Sequence, residues 1–577
     1  MYIKVTKSGD RRYIQLAESY RDSEGRSRQR IIANLGRLDD STSQANSILA
    51  ALLQASGQQT GEGNEARLLS TAQFESARAL GDVWALTVIW KQLGLDRLKQ
   101  LLKLKTRHRI DLEALLRLMV FNRLCDADSK LGALRWVKTV SLPEMDLTSV
   151  SHQQLLRTMD AILEHQDVID EVLADAVRPL VNDDLSVMFY DMTTIRAEGL
   201  SEQADDVRQF GKSKEGGIGR QFMLGLVQTA EGIPLYHEVF PGNTAEVDTL
   251  KTSLLKVVNT FPIKRVIAVA DRGLLSLESL GELQQIVLPL GQPLEFILAV
   301  PGRRYKDFQT LLAPFNEHVQ SVTSVDPDTE EAEVFGEVEW EGLRLVVAHD
   351  PERAAEQTTK RDAKIAQLEA RAEQWADKLD SQDEGKKSRG RKLTDGGAQA
   401  RFYREVCEER LGLIMKVNFN SELFNYDIDE EALARARAMD GKLLLVTNTK
   451  DMDVVDVVTR YKSLADIERG FKLLKSDIEI GPVYHRLPDR IRAHAYICFI
   501  ALVLARVMRA RLRANPVPDV VSSERALWLL RQIQTHKVHF EGQDPVVGIS
   551  TIGTEQATIL RSLEVKKPSI SIPYVNL

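Results

Sequence analysis

At 577 residues the chain is too long for one hydrophobic core, and three or four domains are expected. An apolar fraction of 43% is ample for folding, while a net charge of −7 argues, on average, against a nucleic-acid partner. Cys125, Cys407 and Cys498 are too scattered for a disulfide framework or a zinc site, and MYIKVTKSGDRR lacks the apolar stretch of a secretory leader, so a reducing cytoplasm is expected.

The average charge conceals local differences. Residues 1–37 carry nine Lys and Arg against four acids, and residues 460–513 twelve against five. These two stretches are where a phosphate backbone would bind.

Residues 1–39 alternate in strand fashion around two turn signals, Ser8-Gly9-Asp10 and Ser23-Glu24-Gly25, which predicts a small basic three-stranded meander. Its arginines suit either a DNA-end contact or a solvated basic face. Residues 40–69 are rich in Ser, Gln, Gly and Asn and read as a linker. Helical periodicity dominates residues 70–183, and Ser151 with Gln154 has the spacing of a capping box. This segment is a candidate DNA reader or a helical scaffold, and no recognition helix stands out.

From residue 184 the pattern changes to α/β. A strand at 185–191 precedes two more strand-like runs, 222–228 and 235–240, then a helix at 247–261, a strand at 265–271, another helix and the strand EFILAVP. Three antiparallel strands followed by alternating helix and parallel strand is the order of a ribonuclease-H-like fold, with its first part at residues 184–304. In that order the first and fourth strands are neighbours, so Asp191 and Asp271, each closing an apolar run, would lie side by side.

Residues 305–440 read as an inserted domain. They hold the strand-like FGEVEW and GLRLVVAHD and a long helix with Ile365, Leu368, Ala372, Trp375 and Leu379 at a/d spacing. A helical hairpin is favoured over a dimer contact, and the basic run at 386–392 reads as a solvated loop. KLLLVTNT returns the chain to the second part of the core, residues 441–515. Residues 516–577 form a tail expected to be helical. The apolar run at 495–508 spans only 14 residues, too few to cross a bilayer, and reads as a buried helix.

Within YKSLADIERGFKLLK, at 461–475, Tyr461, Glu468 and Lys475 recur every seven residues. On one continuous helix all three would share a face. Three acids in the order Asp191, Asp271, Glu468, the last on a Y-(2)-R-(3)-E-(6)-K pattern, resemble the DDE transposases of bacterial insertion sequences, in the IS-four superfamily. GKSKEGGIGRQFMLGLVQTAEGIPLYHEVFPGN at 211–243 and GPVYHRLPDRIRAHAYICFIALVL at 481–504 resemble two further signature stretches of its longer-chain members.

The resemblance implies a magnesium-dependent enzyme, with manganese as a possible substitute, that cuts double-stranded DNA at terminal inverted repeats and joins the ends to target DNA, acting as a homodimer. Asp191, Asp271 and Glu468 would hold two divalent ions, hard cations that take carboxylate oxygen. Tyr461 and Lys475 would contact phosphate. The motif's arginine is Leu464 here, with Arg460, Lys462 or Lys472 as replacements. Lys212, Lys214, Arg490 and Arg492 are further candidate DNA contacts. His485 and His494 are too widely spaced for a metal pair on one helix and read as structural. A structure-specific nuclease on the same fold, or a non-catalytic DNA-binding descendant of a transposase, are the alternatives.

Overall fold

A computed structural model describes residues 2–8, 11–21, 27–37, 73–105, 110–145, 150–181, 186–199, 203–213, 217–244, 246–261, 265–270, 277–288, 291–325, 333–384, 393–539 and 545–569. The linker at 40–69, the basic run at 386–392, Asp271 and Lys214 lie outside the described residues. The chain divides into two compact units: Met1–Asp184, Tyr190–Ile263 and Asp466–Leu577 form one, Leu185–Phe189 and Lys264–Ala465 the other.

The first unit opens with an antiparallel meander of β1 (Tyr2–Ser8), β2 (Arg11–Arg21) and β3 (Ser27–Arg37). After β4 (Gln73–Ala79) the described residues hold six α-helices before the next strand, among them Leu112–Cys125 and Lys130–Trp136. Asp111 starts the former by accepting from the Ala114 N–H, and its residues from Leu112 to Arg123 are all buried. Ser151 and Gln154 make both bonds of the expected capping box. Next in the chain come β5 (Ser186–Arg196), whose first residues belong to the second unit, β6 (Gln209–Lys212), β7 (Ile218–Thr229) and β8 (Pro234–Pro241). The first residues of β7 pair with β6 and the rest with β8, both antiparallel. Lys212 is therefore at the end of a strand, opposite Ile218, and the Ser213 N–H donates to the Gly217 carbonyl.

In the second unit β9 (Val266–Ala270) and β10 (Glu295–Ala299) run parallel. β11 (Val334–Trp340), β12 (Leu343–His349), β13 (Met415–Val417), β14 (Tyr426–Ile428) and β15 (Lys442–Thr447) follow. β15 pairs antiparallel with both β10 and β12. The large mixed sheet thus reads β11-β12-β15-β10-β9-β5-β7-β6, with β8 also on β7. Two strands assigned by sequence to the inserted segment are members of this sheet, because β12 presents an almost wholly buried LRLVVAH to β15. The helical part of that segment does form a hairpin. Lys364 pairs with Glu409 and Arg371 with Glu405, so helices Pro351–Asp383 and Asp395–Glu408 run antiparallel. Ile365, Leu368 and Ala372 pack with Phe402 and Val406, so the a/d stripe is satisfied within the chain.

The tail belongs to the first unit and departs from the helical expectation. β16 (Gln534–His539) and β17 (Val546–Ile549) pair, and β4 completes the sheet β17-β16-β4. Thr535 lies opposite Arg78, far apart in sequence, and QTHKVH has too few apolar residues to announce a strand locally. Helix Pro488–Ala514 crosses this unit with nearly all its central residues buried. It is longer than its apolar run and is, by length and composition, the one helix among the described residues able to cross a membrane; the window concerned is 94% buried.

Candidate active site

Asp191 sits in the middle of β5, not at the end of a strand. The apolar run Val187–Tyr190 continues past Asp191 into Met192 and the β-branched Thr193, Thr194 and Ile195, whose side chains keep the backbone extended to Arg196. Tyr190 turns its hydroxyl to Thr249 of helix Glu246–Thr260. Successive side chains alternate, so half-buried Asp191 is on the opposite face, where its Oδ1 accepts the Met192 N–H at 2.7 Å. β9, the neighbour of β5, ends at Ala270, one residue before Asp271.

The Tyr461–Lys475 stretch is two helices instead of one. Val454–Lys462 closes with the Ser463 N–H on the Thr459 carbonyl and the Leu464 N–H on Tyr461, and the next helix is Ala465–Ser476. Leu464, in the place of the motif's arginine, is buried, which turns the chain inward at the break. Glu468 and Lys475 belong to one helix, seven residues apart. Tyr461 belongs to the preceding helix. Lys472 is exposed and Lys475 half-buried. Of the replacements for the missing arginine, Lys462 is paired with Glu333.

Close approach at Gly470, two residues after Glu468, seats this helix. A Cβ there would stand 2.8 Å from an Arg506 guanidinium nitrogen and 3.0 Å from the Gln228 amide nitrogen. Gln228 is on β7, which adjoins β5, and its buried amide group has no hydrogen-bond partner among the described residues. Arg506 is a charge in the middle of a buried helix, 3% exposed. Gln228 carried no signal in the sequence, whereas Arg506 stands out as an arginine inside the apolar ALVLARVM.

The helix exit returns to β5. Arg123 donates to the carbonyls of Ile478 and Glu479. The Val483 N–H bonds the Arg196 carbonyl at 2.9 Å and the Glu198 N–H bonds Val483 at 2.8 Å. His494 lies 2.9 Å from the Ile480 carbonyl through Nε2. Burial, then the nearby cations led by Lys130, lowers the His485 pKa to about 4, and burial holds His494 well below the usual histidine range. Both histidines are therefore neutral at physiological pH.

The other candidate cations are dispersed. Arg490 makes a bidentate pair with Asp160, at 2.8 and 2.9 Å, and Arg492 pairs with Asp489. Lys212 is the last residue of β6. Near that strand end a cavity of about 410 Å³ is lined by Arg196, Phe210, Ile218 and Arg220. Phe210 and Ile218 are 64% and 83% exposed, and the Arg220 guanidinium lies 5.8 Å from the Phe210 ring centroid. An exposed aromatic opposite an arginine was present in QFGK and IGRQ but was not singled out. Among the described residues no group of three or more His, Cys, Asp and Glu is placed to hold a metal ion.

Two family models match the chain. The IS1634 family transposase N-terminal domain covers residues 3–65 and the Transposase DDE domain residues 182–504, more than half of the 577. The chain belongs to the DDE transposase family. Both matches support a DDE transposase of an insertion sequence, as the acids and the Glu468 helix implied. The DDE domain takes in β5, β9 and the Glu468 helix. No curated protein matches the chain. Among solved structures, a piggyBac transposase synaptic complex with hairpin DNA is 7% identical, with a TM-score of 0.35 over 78% of this chain and 79% of that one.

Proposed function

We propose that this transposase cuts double-stranded DNA at the terminal inverted repeats of its own insertion sequence and joins the freed 3′ hydroxyls to target DNA, with Asp191, Asp271 and Glu468 as the catalytic acids. The observation that carries this reading is the common support of two of them: β5, bearing Asp191, adjoins β7, and Gln228 of β7 lies so near the Glu468 helix that a Cβ on Gly470 would stand 3.0 Å from its amide nitrogen. The order β8-β7-β5-β9-β10, with β9 and β10 parallel, supports a ribonuclease-H-like core.

Three carboxylates without thiolate or imidazole fit a hard divalent ion such as magnesium, with manganese as a substitute. Such an ion, when bound, would polarise the phosphodiester and stabilise the attacking and leaving oxygens. The chain's own part is to orient the acids and hold DNA. Exposed Lys472 and half-buried Lys475 follow Glu468 on the same helix and suit terminal phosphates, with Tyr461, Lys212, Lys214, Arg490 and Arg492 as outer contacts. The basic β1–β3 meander and the helical residues 70–183 would engage the DNA ends, two copies acting together in the bacterial cytoplasm.

The test is a labelled duplex carrying the terminal repeat and its flank, with magnesium, comparing the native chain and Asp191→Asn. Nicking at the repeat boundary and joining to a second duplex, both lost in the variant, is the expected result. Nicking without joining would point to a structure-specific nuclease, and tight binding without cutting to a non-catalytic DNA-binding protein.

A further inference from the structure

Lys130, His494 and the Ile480 carbonyl form a buried hydrogen-bonded chain. Lys130 Nζ lies 3.4 Å from His494 Nδ1, and His494 Nε2 lies 2.9 Å from the Ile480 oxygen. A carbonyl only accepts, so Nε2 carries the proton, Nδ1 is the acceptor and the lysine amine donates to it. Lys130 is 6% and His494 7% exposed, so water does not compete strongly for either bond.

The carbonyl they hold belongs to irregular backbone between two anchored points. Ile480 comes shortly after Ser476, the last residue of the Glu468 helix, and shortly before Val483, which bridges to Ala197 at the end of the Asp191 strand. Gly481 fits tightly there: a Cβ would stand 3.0 Å from an Ile195 methyl. A buried carbonyl outside regular structure needs a partner, and any shift of this segment moves both acid-bearing elements.

We propose that Lys130 and His494 are positioning residues of the transposase, fixing through the Ile480 carbonyl the tether that joins the exit of the Glu468 helix to the Asp191 strand. This rests on the reading of Asp191 and Glu468 as catalytic acids. Neither Lys130 nor His494 touches DNA or the reacting phosphate in this role. The chain is also sensitive to pH. Arg123 from helix Leu112–Cys125, Cys498 from helix Pro488–Ala514 and His485 from the tether surround the pair, with His152 and Arg490 acting on His485. Burial, reinforced by Arg123, lowers the Lys130 pKa to about 7, so the amine is increasingly neutral above neutral pH.

Hydrogen exchange on the full chain without DNA tests the tether directly. In His494→Leu the Val483 and Glu198 amides should exchange at least roughly ten-fold faster while the helix Pro488–Ala514 keeps its protection. His494→Gln, which can still donate to the Ile480 carbonyl, should restore most of that protection. In the nicking assay His494→Leu should lower kcat about ten-fold with KM for the DNA end little changed, with partial rescue by Gln. Lys130→Met should accelerate the same two amides and flatten the rise in their protection above neutral pH. Unchanged exchange in His494→Leu, acceleration throughout the first unit, or a Gln variant no better than Leu would each overturn the proposal. If the native chain does not nick DNA, the catalytic reading fails while the exchange data still decide the tether.

Discussion

On one side of helix Pro488–Ala514, Tyr496 and Phe499 stack on the buried His237 of β8, at ring-centroid distances of 5.0 and 4.4 Å. On the other side, His494 and Cys498 face Lys130 and the Ile480 carbonyl. The aromatic side holds a regular strand, whose backbone is already paired, by area and ring contact. The polar side holds an irregular segment, whose carbonyl must be met at a defined angle, so directional bonds are used despite the burial of cations. One helix therefore supplies bulk stability on one face and placement of the tether on the other.

Breaking the aromatic side should have the largest effect. Phe499→Ala removes a 6% exposed ring and should lower stability by about 3–5 kcal/mol, measured by urea unfolding, with little change in its pH dependence above neutral pH. The polar side should instead be exposed by pH. Lys130 has a folded pKa of about 7 against an ordinary 10.5. Its contribution is therefore complete above 10.5, is lost as pH falls toward 7, and levels off below. Native stability should rise by up to about 1.4 kcal/mol per pH unit from this group above neutral pH, and Lys130→Met should remove that slope.

The two sides should converge in acid. His237 falls to about 3 and His485 to about 4, mainly through burial, from an ordinary value of 6.5. Protonating the unfolded chain first, falling pH should destabilise the protein from 6.5 down to those values. His237→Phe should remove one of these two slopes, up to about 1.4 kcal/mol per unit, in acid-unfolding curves. The smallest effect is expected outside both faces. Arg492→Ala breaks a solvent-exposed pair with Asp489 and should change stability by less than about 1 kcal/mol, while any larger loss of DNA affinity in a binding titration would assign Arg492 to the interface.

The sequence by itself determined the parts whose signals are local. Apolar runs placed β5, β9 and β10, the turn signals framed the β1–β3 meander, and the spacing of Glu468 and Lys475 survives on one helix because it spans seven residues of unbroken helical backbone. Tertiary structure decided the rest. Leu464 is drawn into the interior and separates Tyr461 from Glu468, a break that periodicity alone did not register. β16 lies between β17, close in sequence, and β4, hundreds of residues earlier, and the second of these ladders has no local signal. Lys130 and His494 are equally remote in sequence, and a buried amine beside an imidazole leaves no spacing to read. Their meeting depends on helix packing, as does the seat of the Glu468 helix on Gln228 and Arg506, because contacts between distant segments follow from how surfaces fit and not from the order of residues along either one.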